Sequence, residues 1–505
     1  MVIPFILTRR RFAASCIFAV VLLCAAAAAV LPAQTLTFLV RFSYYDPVGF
    51  YPAGPLVQAT DGNIYETVPQ GADNYSGTIV KMSQTALSTL YSFCSGGGTC
   101  PDGSGPSGLI QATDGNLYGT TGGGGANGSG TVFKLTLDGT LTTLYSFCAG
   151  GPSCPDGSGP GGLMQASNGD FYGTTGSGGF DNPDYNCPHG CGTLFKITAA
   201  GALTTLYTFC TQDGCPDGFS PSGLAESDSG YLYGATVDGG GNYAWCGTGC
   251  GTVYKITPDG TLTTLYWFCS QDNCADGAHP FAAPQPTPDG NAYGTTSCSG
   301  PSLLCGDRYS GGTLFKISAS GAFTLIHNFC AENGCRDGSE PSGVFAGSDG
   351  GYYGTTFYGG LEGGDGYGTI FKLTPDGLLR TVYRLPQEGG HNPSGLVQAT
   401  TGEFYGTTLN GGVTNIGTIF SLSAGLGPFV ETRPTFGQAG AAVEILGTGL
   451  TGATGVTFNG TAAGFTVVSD SLIAATVPAG ATSGTVQVLT PGGALPGNVI
   501  FVVRQ

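Results

Sequence analysis

The sequence predicts an all-β chain: a seven-bladed β-propeller of four-stranded blades followed by a small immunoglobulin-like β-sandwich. Three observations carry this expectation. Short motifs recur seven times, at a spacing of about 55 to 60 residues. Each repeat holds four strand-length apolar segments separated by Gly-rich turns. After Gly427 the motifs and the cysteines both stop, and a shorter run of alternating strands begins.

The composition agrees. Of 505 residues 91 are Gly, 41% are hydrophobic and 11% aromatic, and only 10% are charged. Such a chain can bury a core and is not an acidic disordered tail. The glycines have no three-residue period, which excludes collagen. The balance of 16 basic against 33 acidic residues argues against nucleic acid as a partner, because phosphate binding needs clustered Lys and Arg.

Residues 1–34 read as a secretory signal peptide. Thr8-Arg9-Arg10-Arg11 is a basic start, Phe12 to Ala33 an apolar run, and small residues follow near the end of that run. The arginine cluster also resembles a twin-arginine signal. Cleavage leaves no stable membrane insertion and places the chain in the periplasm, at the cell surface or outside the cell.

Residues 35–427 form the repeat array. One unit contains Tyr118-Gly119-Thr120-Thr121, then Gly130-Thr131-Val132-Phe133-Lys134, then Leu141-Thr142-Thr143-Leu144-Tyr145. The first motif recurs at Tyr172, Tyr293, Tyr353 and Tyr405, with variants at Tyr65 and Tyr233. The second recurs with Lys81, Lys196, Lys255, Lys316 and Lys372, and Ser421 takes the lysine's place in the last copy. These lysines are expected to pair with turn aspartates or to lie solvated at blade edges. Asp114-Gly115 and Asp138-Gly139 supply tight hairpin turns. Four-stranded antiparallel units in tandem are the blades of a propeller. The last copy ends near Ser423 with only three strands, and Thr35–Phe42 matches the missing fourth-strand pattern. The N-terminal strand is therefore expected to complete the last blade, latch the ring and leave no open edge.

These units resemble the GloVer tandem repeats of exported bacterial proteins, through Tyr118–Thr121, Gly130–Lys134 and their copies. The resemblance implies placement and export but no activity. Residues 428–505 resemble an IPT/TIG domain, through Val456-Thr457-Phe458-Asn459-Gly460, Ala475-Thr476-Val477-Pro478 and Thr490-Pro491-Gly492-Gly493. That implies an immunoglobulin-like spacer or interaction module without catalysis.

Sixteen cysteines follow the signal, in eight close pairs: Cys94/Cys100, Cys148/Cys154, Cys187/Cys191, Cys210/Cys215, Cys246/Cys250, Cys269/Cys274, Cys298/Cys305 and Cys330/Cys335. An even count in an exported chain reads as disulfides. Zinc needs four converging ligands, and only four histidines accompany the pairs. No metal or cofactor is expected.

In a four-stranded meander the tight first and third turns share one face. The long second connections and the links between blades share the other, and every cysteine pair falls there. Long loops on a rigid scaffold are where binding concentrates. Tyr185, Tyr243, Trp245, Tyr309 and Tyr367 lie in second connections and are the candidate ligand-binding residues, since aromatic faces suit sugar rings or peptides. The alternative for each is packing inside its loop. Asp102, Asp156, Asp217, Asp276 and Asp337 recur in the links. One acid per blade is too sparse for a dedicated calcium loop, so each is expected to cap its own turn. No catalytic residue stands out: His189, His279, His327 and His391 lack ligand spacing, and no Gly-x-Ser-x-Gly elbow occurs. The expected function is non-catalytic recognition or scaffolding, with a polysaccharide or cell-surface protein as partner. A carbohydrate-active lyase or hydrolase on the same face, or a purely structural envelope component, are the alternatives.

Overall fold

The computed structural model describes residues 34–504 except 45–47, 53, 55, 72–74, 84–85, 152, 183–186, 188, 300–309, 332–333, 362–365 and 388. The signal-like segment, with Cys16 and Cys24, lies outside the described residues. The fold is all-β and propeller-like, built from antiparallel sheets in tandem.

Sheet 1 comprises Val57–Gln58, Ile64–Val68, Thr78–Ser83 and Ala86–Ser92. Sheet 2 comprises Ser104–Gln111, Leu117–Gly123, Thr131–Leu135 and Leu141–Ser146. Sheets 3 to 6 repeat the pattern from Ser158 to Arg384, and in sheet 6 the first strand is split into Ser339–Pro341 and Phe345–Ala346. Sheet 7 takes Gly390–Gln398, Phe404–Gly411 and Thr418–Ser423 from the end of the array. Its fourth strand is Thr35–Arg41, antiparallel to Thr418–Ser423 with Thr35 opposite Ser423.

The repeated motifs interlock across each sheet. Tyr118 lies opposite Lys134, Gly119 opposite Phe133, and Thr121 opposite Thr131. The Tyr118 hydroxyl donates to Asp114 at 2.9 Å, and Lys134 Nζ meets the same carboxylate at 2.8 Å. Thr121 and Thr131 hydroxyls bond at 2.9 Å. Glycine is required at 119 because a Cβ would stand 2.6 Å from the Phe133 ring. Lys81 and Lys372 meet Asp61 and Asp349 in the same way, Lys196 lies 3.6 Å from Asp170, and Lys255 donates to the Ala319 carbonyl. The turn aspartate and lysine thus serve the turn, at exposed positions where such pairs contribute about 0–1 kcal/mol.

Burial occurs between sheets. Ala59, Tyr65 and Ile79 of sheet 1 pack with Leu109, Leu117 and Phe133 of sheet 2. Each later pair of neighbours has its own cluster. Ala399, Ile416 and Ile419 of sheet 7 pack with Phe42 and with Ile64, Val68 and Val80 of sheet 1. A side-chain amide also ties neighbour to neighbour. Thr60 N donates to Gln111 Oε1, Thr113 N to Gln165 Oε1, Ser348 N to Gln398 Oε1, and Thr400 N to Gln58 Oε1. Glu226 takes this role toward Ser167 N. These bonds satisfy turn amides that the two-residue turns leave unpaired.

The remaining strands form two sheets. One holds Glu431–Arg433, Ala442–Leu446, Leu472–Thr476 and Phe465–Val467; the other holds Phe436–Gly437, Gly493–Val503, Gly484–Thr490, Gly455–Phe458 and Thr461–Ala462. They enclose one core that includes Val443, Ile445, Val456, Phe458, Val488 and Phe501. This pair of sheets rests on the tight-turn ends of sheets 1, 2 and 7. Arg433 donates to Gln111 Oε1 at 2.7 Å and to the Gln58 carbonyl at 2.9 Å. Ser471 Oγ donates to the Thr60 carbonyl at 2.7 Å, and Thr448 and Thr400 hydroxyls bond at 2.7 Å. Among the described residues no helix is long and apolar enough to cross a membrane.

Candidate functional site

The face opposite this contact carries the second connections and the links. Disulfides join Cys94–Cys100, Cys148–Cys154, Cys187–Cys191, Cys210–Cys215, Cys246–Cys250, Cys269–Cys274 and Cys330–Cys335. Cys298 is also disulfide-bonded, and Cys305 lies outside the described residues. In sheets 3 and 4 the second-connection bridge lies against the following link bridge. The sulfurs of Cys187, Cys191 and Cys210 fall within 4.8 Å of one another, as do those of Cys246, Cys250 and Cys269. As disulfides these sulfurs offer no thiolate, the form that binds a metal.

The five link aspartates act on their own links. Asp102, Asp156, Asp217 and Asp276 each accept from the hydroxyl of the fourth-strand tyrosine, at 2.8 to 3.0 Å. Asp337 meets His327 Nε2 instead, at 2.7 Å. Each carboxylate also accepts from a backbone N–H, of Cys94, Ala149, Cys210, Ser270 and Cys330. Burial and the neighbouring carboxylate push the Tyr91 and Tyr145 hydroxyls up to about 12. Burial also raises Asp217 above the usual carboxylate range. The tyrosine is the partner that sequence reading missed: it lies on a strand, and the aspartate lies on the link beyond it.

The five candidate aromatics meet different fates. Tyr185 and Tyr309 lie outside the described residues. Tyr243 and Trp245 belong to a short helix, Tyr243–Cys246, and the Tyr243 hydroxyl donates to the Gly214 carbonyl at 2.9 Å. Tyr243 thus packs its loop onto the neighbouring link. Tyr367 lines a pocket of about 260 Å³ together with Tyr358, Gly366, His391, Asn392, Asn410 and Asn415.

That pocket occupies a distinct sector of the loop face. Its described lining comes from the second connections of sheets 6 and 7 and from the strands beside them, and none of these segments contains cysteine. Hydrogen bonds order it instead. Asn392, in the left-handed region at φ 60°, is buried. Its N–H donates to the Tyr367 carbonyl at 3.0 Å, and its side-chain amide donates to the Phe357 carbonyl at 2.9 Å. Asn410 Nδ2 donates to Asn392 Oδ1 at 3.0 Å, and Gly411 N donates to Asn415 Oδ1 at 2.9 Å. The Tyr367 and His391 rings meet edge to face at 5.3 Å. The result is a concave polar cup with two tyrosines, one imidazole and three amides. No carboxylate or lysine lines it among the described residues. Sequence reading missed the three asparagines; the signal available was the absence of cysteine from three consecutive loops.

Comparison with solved structures places the fold among propeller-like proteins. The extracellular domain of a protein described as a hybrid two-component system from B. thetaiotaomicron is 12% identical, with a TM-score of 0.50, over 93% of this chain and 55% of that one. A catalytically inactive virginiamycin B lyase from Staphylococcus aureus, bound to quinupristin, is 13% identical, with a TM-score of 0.49, over 77% and 99% of the two chains. A fungal alcohol oxidase of the AA5 family in complex with copper is 12% identical, with a TM-score of 0.48, over 93% and 99%. At these identities the likeness concerns the fold alone. No curated protein matches the sequence. The profile of the Gloeobacter/Verrucomicrobia repeat matches residues 29–248 and 244–468, which between them contain the whole array, and the chain belongs to that repeat family.

Proposed function

We propose that this chain is an exported recognition protein that binds an uncharged glycan through the cysteine-free sector of its loop face. In this reading residues 1–34 direct export. Residues 35–427 form a closed seven-bladed propeller, and residues 428–505 form an IPT/TIG-type spacer mounted on the opposite face. The observation that carries the reading is the pocket of Tyr358, Tyr367, His391, Asn392, Asn410 and Asn415. Amides that both donate and accept suit sugar hydroxyls, and tyrosine rings suit the C–H faces of a pyranose. The disulfides supply the rigid frame around it. The acidic chain disfavours anionic ligands by repulsion.

The test is a glycan array and calorimetry on the purified full chain. Tyr367→Ala is expected to weaken binding by about 2 kcal/mol, the scale of an interface anchor, with the melting temperature unchanged. Unaltered binding by that variant refutes the site. Turnover of any polysaccharide in a reducing-end assay refutes the non-catalytic reading.

A further inference from the structure

We infer that the ligand is an extended glycan chain, held at a second subsite on an aromatic shelf beside the pocket; this rests on the pocket being the glycan site proposed above. The shelf consists of Tyr44, Phe50 and Tyr51, on the link that enters sheet 1, and of Tyr75, on the second connection of that sheet. Tyr44 and Tyr75 are 54% and 75% exposed, well above what a large aromatic ring normally leaves in water. Both meet the buried Phe50 edge to face, at 5.3 and 6.2 Å. Tyr51 joins the group, with its ring 5.5 Å from Phe50 and its hydroxyl 3.4 Å from that of Tyr44. The rings are therefore fixed in place while their surfaces remain in solvent.

The backbone couples the shelf to the pocket. Phe50 N donates to the Gln70 carbonyl, and Tyr51 N donates to the Ile416 carbonyl, both at 2.9 Å. Ile416 directly follows Asn415, a pocket wall. Thr414 Oγ1 donates to the Phe42 carbonyl at 3.4 Å, and Val413 stands 77% exposed on the crest of the same loop. A ligand leaving the pocket across residues 413–416 thus reaches Tyr51, Tyr44 and Tyr75 within a few residues' span. Exposed rings beside a cup of amides recognise a sugar chain: each ring stacks on a C–H face and each amide bonds a hydroxyl. An acidic chain meets a protein of net charge −17 and is repelled.

The experiment measures binding of glucose, xylose and mannose oligomers, from monomer to hexamer, to the purified full chain by calorimetry. The wild type is expected to bind one series with affinity that rises steeply with length. Tyr44→Ala with Tyr75→Ala is expected to flatten that rise, costing the hexamer about 30-fold and leaving the shortest binding oligomer unchanged. Tyr44→Phe with Tyr75→Phe keeps the rings and is expected to keep the rise. Tyr367→Ala is expected to weaken every length alike. A wild-type affinity independent of length, or an alanine pair that loses nothing on the hexamer, overturns the shelf while leaving the pocket standing. Failure of every neutral oligomer, or capture of an acidic glycan or a peptide instead, overturns both.

Discussion

Glu66 is the one acidic side chain at a position that six other repeats reserve for glycine. In those repeats a Cβ would stand 2.3 to 2.6 Å from the ring of the facing third-strand residue: Phe133, Phe195, Tyr254, Phe315, Phe371 or Phe420. In sheet 1 the facing residue is Val80, opposite Glu66 in the register. Glu66 is 1% exposed. Its Oε1 accepts from Gly54 N at 3.2 Å, and its Oε2 has no hydrogen-bond partner among the described residues. Burial pushes its carboxyl well above the usual range, with the Gly54 bond opposing only in part. The folded state therefore binds a proton that the unfolded state releases. Stability is highest below the unfolded carboxyl's ordinary value and falls as pH rises toward the elevated folded value. Glu66→Gln removes this titration, so its stability is expected to decline less than the wild type's across the same window. Glu66→Gly with Val80→Phe restores the glycine–ring pair and removes the unsatisfied oxygen, a gain of about 1–3 kcal/mol. Val80→Phe alone overpacks the site and is expected to cost about 1–3 kcal/mol, so the two changes should couple strongly. Urea unfolding at several pH values measures all four proteins. A wild type whose stability rises with pH through this window relative to Glu66→Gln, or a double variant no more stable than Val80→Phe alone, refutes the reasoning.

Deleting Thr35–Phe42 removes the strand paired to Thr418–Ser423 and takes Phe42 out of the core between sheets 7 and 1. Calorimetry should record a loss larger than the roughly 0.5–3 kcal/mol of a point substitution, and an unchanged melting temperature counts against a latched ring. Non-reducing peptide mapping should return the local cysteine pairs, with free thiols or links between distant repeats as the contrary result. Arg433→Ala removes the donors to Gln111 and the Gln58 carbonyl and the 2.9 Å contact with Glu431. With hydrogen bonds to a charged group contributing about 1.5–3 kcal/mol, limited proteolysis between residues 424 and 430 should quicken; an unaltered cleavage rate sinks this account of the contact.

What one repeat needs within itself is written in its local spacing. Tyr118, Gly119, Thr121, Thr131, Phe133 and Lys134 meet inside a single sheet, on consecutive antiparallel strands, so the order of the motifs already encodes strand and register. The strand pattern at Thr35–Phe42 was legible for the same reason: it copies a local unit. Close cysteine pairs were legible because each bridge spans one short loop. Tertiary structure decided whatever depends on convergence between units. Gln58, Gln111, Gln165 and Gln398 look like ordinary polar ends of strands until a neighbouring sheet brings a turn amide to each. Arg433 reads as an isolated charge until Gln111, more than three hundred residues earlier, stands in front of it. Tyr367 could be named from its loop, but not that it lines a pocket while the Tyr243 hydroxyl bonds the Gly214 carbonyl. Asn392, Asn410 and Asn415 come from three separate segments, and no linear spacing relates them. Only the packing of sheets 6 and 7 turns them into one cup, because short-range rules fix the strands while the geometry of neighbouring sheets fixes what their loops enclose.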